Sequence, residues 1–177
     1  ILISKLQITT HINNFIWNNT MYNTNQHTFK THDQTELFYQ HWESISQKNS
    51  PNANKKAIIL FHRGHEHSDR MAHLVDELKL TDFDFFAWDA RGHGDSPGAR
   101  GDSPSFSACV KDIQYFLQHI QHQYNIDENN IAIIGQSVGA VLSATWVHDY
   151  APKIRALCLA SPAFDIKLYV PFAEPGL

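Results

Sequence analysis

Cysteine is scarce in this 177-residue chain, where Cys109 and Cys158 are the only two. Two thiols do not make the framework of a small disulfide-stapled secreted domain. Both lie in apolar surroundings, Cys158 within Ala156-Leu157-Cys158-Leu159-Ala160, and they read as buried reduced thiols of a cytoplasmic protein. No apolar run approaches the roughly 20 residues of a membrane span. Positive charge is short as well: 14 Lys and Arg stand against 18 Asp and Glu, for a net charge of −4. That balance offers no basic field to nucleic acid and no polybasic patch to a membrane surface. Internal repeats are lacking. So are an initiator methionine and, in the first 20 residues, the sustained apolar core of a signal peptide. Residues 1–27 are therefore expected to form a poorly structured or non-native extension, with one globular domain over 28–177.

Within that domain, strand and helix patterns alternate. Thr28-Phe29-Lys30-Thr31 and Thr35 to Trp42 read as a hairpin turning at His32-Asp33-Gln34. Ala57-Ile58-Ile59-Leu60-Phe61, Phe83 to Trp88, Ile131 to Ile134 and Ile154 to Ala160 are short apolar runs of the kind buried in parallel sheets. Between them, Met71, Leu74, Val75 and Leu78 mark one helix, with Ser68 as expected N-cap. Cys109, Ile113, Phe116, Leu117, Ile120 and Tyr124 mark a second, opened by Ser103-Pro104. Ala140 to His148 supplies a third. This order predicts an α/β fold with a mostly parallel sheet covered on both faces.

The chemistry concentrates at Gly135-Gln136-Ser137-Val138-Gly139, placed between the Ile131 strand and the third helix. G-x-S-x-G in that setting is the nucleophile elbow, a turn tight enough to lift a serine hydroxyl above the sheet. Nucleophilic serine chemistry also needs a base, an acid to orient it, and N–H donors for the oxyanion. Ser137 is the candidate nucleophile and the Val138 N–H one donor. The second donor is expected from the loop after an earlier strand, here His62-Arg63-Gly64-His65-Glu66-His67-Ser68.

That loop resembles the H-G-x-G-E-H-S segment of monoacylglycerol lipase and lysophospholipase-type α/β-hydrolases, a serine aminopeptidase S33-like group. Asp89-Ala90-Arg91-Gly92-His93-Gly94-Asp95-Ser96 is similar to their D-x-R-G-H-G-x-S segment. Ala160-Ser161-Pro162-Ala163-Phe164 resembles the crossing into their cap, from about residue 162. The resemblance implies a cofactor-free serine esterase that cleaves monoacylglycerol- or lysophospholipid-like esters through an acyl-enzyme, with Gly64 as second oxyanion donor. More narrowly, the chain is similar to the hydrolase half of bacterial proteins that continue into an S-adenosylmethionine-dependent methyltransferase. It departs from the family pattern where Arg63 and His65 replace glycines, which bears on the shape of the oxyanion loop and places a guanidinium beside the site.

Other readings compete. His65-Glu66-His67-Ser68-Asp69 matches H-x-H-x-D, and with His62 nearby it suggests a zinc-dependent hydrolase. That reading leaves the elbow unexplained, and Arg70 stands where the motif wants another histidine. A non-catalytic hydrolase-fold module is the remaining alternative. Gly92-His93-Gly94 reads as a shaped turn, and Arg100-Gly101-Asp102 as a coincidental adhesion tripeptide. His148 lies eleven residues past Ser137 on one helix, about 16 Å along its axis, too far to be its base. Asp165 has no histidine to orient. The triad acid and histidine are accordingly expected beyond Leu177, in a fold cut after about its sixth strand, with Ile154–Ala160 as an exposed apolar edge.

Overall fold

The computed structural model describes residues 22–48 and 55–164. Residues 1–21 of the expected extension, Asp165, and nearly all of the expected cap start lie outside the described residues. Among the described residues six strands form one sheet in the order β1-β2-β4-β3-β5-β6. They are β1 (Tyr22–Lys30), β2 (Glu36–Ser44), β3 (Ala57–Phe61), β4 (Asp84–Trp88), β5 (Ile131–Gln136) and β6 (Ala156–Ala160). The first two pair antiparallel and β2 joins β4 antiparallel, whereas β4, β3, β5 and β6 run parallel. Among the described residues, besides one short helical turn at Ile45–Lys48, helices α1 (Ala72–Leu78), α2 (Phe106–Tyr124) and α3 (Val138–Tyr150) cover this sheet.

Strand periodicity explains the layering. In β3 every side chain is buried, but alternate residues serve different faces. Ile59 and Phe61 join Phe86, Trp88 and the apolar stripe of α2 (Ile113, Phe116, Leu117, Ile120) with Leu142 and Trp146 of α3. Ile58 and Leu60 face the other way, toward Trp42, Phe85, Met71 and Val75 under α1. Helices on both faces force the loops that carry chemistry to the strand ends. The loops after β3, β4 and β5 all leave the carboxyl edge of parallel strands, where open α/β sheets bind ligands.

Four local expectations are corrected. Residues 22–27 belong to β1, whose alternating Asn, Thr, Gln and His side chains are exposed on an edge strand and carry no apolar signal. Ser105, not Ser103, caps α2; its hydroxyl accepts from the Ala108 N–H at 3.1 Å. Ser68 caps nothing with its side chain, and it opens a 3-10 turn whose backbone N–H is taken by Asp89. Cys158 is exposed, because β6 pairs with β5 alone among the described strands, while Cys109 is half-buried; both are free thiols.

Candidate active site

Ser137 stands between β5 and α3 with φ 54° and ψ −115°, a conformation that side-chain-bearing residues avoid. Hydrogen bonds determine it from both sides. The Ser137 N–H donates to the Ala160 carbonyl at 2.9 Å, and its own carbonyl accepts from Ala140 and Val141 at 3.1 and 3.2 Å. The flanking glycines are required by close approach. A Cβ at Gly139 would lie 2.5 Å from the Phe61 carbonyl oxygen and one at Gly135 2.7 Å from the Gly139 oxygen. The helix start thus packs against the end of β3, and Val138 begins α3 with an N–H that has no partner within the helix.

The end of β3 brings the second loop alongside. Gly64 lies against Val138: a Cβ added at Gly64 would meet Val138 Cγ1 at 3.9 Å. Arg63 is not among the positive-φ residues, so its side chain is accommodated without left-handed backbone. The strained position is His65, at φ 61°. Of the two residues in place of family glycines, only His65 therefore adopts the backbone that glycine favours.

His62, directly after β3, is buried and fully engaged. Its Nε2 accepts from the Ala90 N–H at 3.0 Å, which leaves Nδ1 to donate to the Arg63 carbonyl at 2.7 Å. Burial holds its pKa below the ordinary histidine value. A neutral ring with both nitrogens occupied is a tie between the β3 and β4 loops. The same sign applies to His27 and His119, also lowered chiefly by burial. Because the unfolded chain takes up these protons first, folding stability is expected to fall as pH drops below about 6.5. Thermal melts between pH 7.5 and 5.5 check this; a flat or rising midpoint on acidification contradicts it.

The β4 loop is braced by groups that sequence reading treated only as a motif. Asp89 is buried, and its carboxylate accepts from the Ser68 N–H at 2.6 Å and the Asp95 N–H at 2.8 Å. Gly94 is glycine because a Cβ there would fall 2.0 Å from Asp89 Oδ2, at φ 49°. Arg91 forms a two-pronged pair with buried Asp112 and also reaches Asp33 at 2.9 Å. These contacts make Gly92-His93-Gly94 a structural turn, as its composition suggested. Asp112 is the residue that sequence reading missed; its signal is a carboxylate beside Ile113 on the buried stripe of α2.

A cavity of about 240 Å³ opens beside the elbow. Trp88, Ala90, Cys109, Val138 and Leu142 give it apolar walls, and His62, Gly64 and His93 stand at its polar side. Burial pushes the Cys109 thiol up, so that wall stays uncharged. Gln136, the residue before Ser137, borders a polar groove with Arg63, Glu66, Asp69, Arg70 and His73. The histidines of the H-x-H-x-D segment do not converge. His65 is exposed, His67 lies 3.7 Å from Asp69, and His62 is spent on backbone bonds. Among the described residues no group of three or more His, Cys, Asp or Glu side chains is placed to hold a metal. His148 is exposed and pairs with Asp149 at 2.9 Å. No described helix is long and apolar enough to cross a membrane.

Comparison with known proteins converges on this architecture. The family described as "Serine aminopeptidase, S33" matches residues 52–176. The chain is 55% identical over 152 residues to the uncharacterized protein YnbC of Escherichia coli K12, covering 86% of this chain and 25% of that protein. It is 29% identical over 127 residues to the monoglyceride lipase of Rattus norvegicus, covering 71% of this chain and 39% of that one. The chain thus spans a quarter to two-fifths of the length of these relatives. Among solved structures, the esterase EaEST of Exiguobacterium antarcticum matches with a TM-score of 0.60 at 15% identity, over 77% of this chain and 45% of that one.

Proposed function

Because the chain belongs to the serine aminopeptidase S33 family of α/β-hydrolases, we propose that it carries the nucleophile half of a serine esterase acting on carboxylic esters with a lipid-like acyl chain. The observation that carries this reading is Ser137 held at φ 54° on a strand-to-helix turn, beside an apolar cavity. Ser137 Oγ attacks the ester carbon and forms the acyl-enzyme bond as the bond to the alcohol breaks. The serine proton passes through a histidine to the departing alcohol oxygen, and water then releases the acid. The N–H groups of Val138 and Gly64 receive the oxyanion, and their neighbouring placement supports that role. The histidine and its acid are proposed to lie beyond Leu177, as the family resemblance implies, and the protein to act in the cytoplasm. That the full-length protein also bears a methyltransferase domain rests on the resemblance alone.

The substrate class follows the cavity and the named relatives, a lipase among them. Full-length protein is expected to hydrolyse acyl esters of glycerol, with turnover unchanged by metal chelators. Turnover abolished by chelation and restored by zinc would favour the metallohydrolase reading of the His62–His67 loop. Correct folding with no ester turnover would favour the non-catalytic module.

A further inference from the structure

Ser137 divides two surfaces of opposite character. On its Val138 side lies the apolar cavity, and on its Gln136 side lies a groove edged by guanidinium groups. A second groove shares Arg63, Glu66 and Arg70 with it and adds Gly64 and Arg100, the latter from the β4 loop. Glu66 is the carboxylate set between Arg63 and Arg70. Its Oε1 lies 2.7 Å from Arg63 Nη2 and 3.9 Å from Arg70 Nε. One carboxylate between two guanidiniums does not cancel the charge of both. A second carboxylate, Asp69, also lines the groove, where it accepts a hydrogen bond from Gln40 Nε2 and faces His67. Across the two grooves three guanidiniums stand against two carboxylates, a local excess of positive charge in a chain of net charge −4.

We propose that this groove is an anion subsite for the alcohol half of the substrate, and that the ester cleaved is an acyl ester of a phosphate-bearing alcohol. The inference rests on the esterase reading for its chemistry, but the groove itself does not. With the ester carbon at Ser137, the acyl chain enters the Trp88–Leu142 cavity and the alcohol extends past Gln136 toward Arg63 and Arg70. Guanidinium pairs suit a phosphate because its oxygens accept two parallel N–H bonds at once. Arg63 stands where the family resemblance has glycine, so the subsite is a property of this chain's own loop.

Calorimetry on Ser137→Ala full-length protein tests the groove apart from catalysis. Glycerol 3-phosphate is expected to bind at least about tenfold more tightly than glycerol, and the Arg63→Gln/Arg70→Gln pair to lose about that factor, the worth of one charge-assisted contact. Arg100→Gln, on a separate loop, shifts affinity in the same direction. In the active protein, kcat/KM for 1-acylglycerol 3-phosphate exceeds that for 1-acylglycerol, and the arginine substitutions lower this ratio. Glycerol 3-phosphate binding no better than glycerol overturns the proposal, as does a ratio that the substitutions leave unmoved. Inorganic phosphate binding as tightly as glycerol 3-phosphate, with no discrimination between the esters, also overturns it. Phosphate binding that depends on the arginines, with neither ester hydrolysed, upholds the subsite and refutes the esterase.

Discussion

Ser137→Ala in the full-length protein is expected to lower ester turnover by about 10⁴-fold or more, the scale of loss when a serine nucleophile is removed from an otherwise intact site. A fluorophosphonate probe should label the parent protein and leave the alanine variant unlabelled. Two features make the effect specific to the hydroxyl. The backbone at Ser137 is held by Ala160, Ala140 and Val141, so alanine inherits the same strained conformation rather than relaxing the turn. Ser137 is also half-buried, and its neighbours Gly135 and Gly139 already limit what fits there. Stability should therefore change little while turnover collapses. Labelling that persists in the variant, or turnover within tenfold of the parent, would move the nucleophile elsewhere.

The elbow was legible because its evidence is local. An apolar strand, five residues with glycines at fixed positions, and a packed helix follow one another in the chain, and the close approach of Gly139 to Phe61 is what that spacing encodes. The strands β3 and β4 were legible for a similar reason, since full burial favours continuous apolar runs. Where sequence reading erred, the deciding partner lay far along the chain. Ser68 looked like a cap, but its buried hydroxyl has no hydrogen-bond partner among the described residues and its N–H goes to Asp89, 21 residues on. His62 looked available for metal until Ala90 occupied its Nε2. The N-terminal half of β1 was missed because an exposed edge strand needs no apolar pattern; its backbone pairing with β2 does the work. Cys158 was misjudged because an apolar run was equated with burial, whereas β6 has one described neighbour.

Asp112→Ala is expected to destabilise the fold by about 3 kcal/mol, since removing one partner of a buried ion pair strands the other. Asp112 is buried on the inner face of α2, and its two oxygens lie 2.6 and 2.9 Å from Arg91 Nε and Nη2. Asp33 remains within 2.9 Å of Arg91 in that variant, which keeps the loss at the lower end of the range for broken buried pairs. Replacing both partners with apolar residues, Arg91→Met with Asp112→Leu, should cost less than Asp112→Ala alone, because no charge is then left without water or a partner. The Arg91 guanidinium holds the Asp33 carboxyl well below the usual carboxylate range. Its sign follows from linkage. The Asp33 contribution is fully present above the unfolded value near pH 4 and is lost as pH falls below it. Urea unfolding at pH 7 and at pH 3 measures both effects. Asp33→Asn should flatten the acid limb of the stability profile, and Asp112→Ala should lower the midpoint at pH 7. A double variant less stable than Asp112→Ala would show that Arg91 contributes through Thr31, Asp33 and Thr35 of the hairpin turn, and that the pair with Asp112 is secondary.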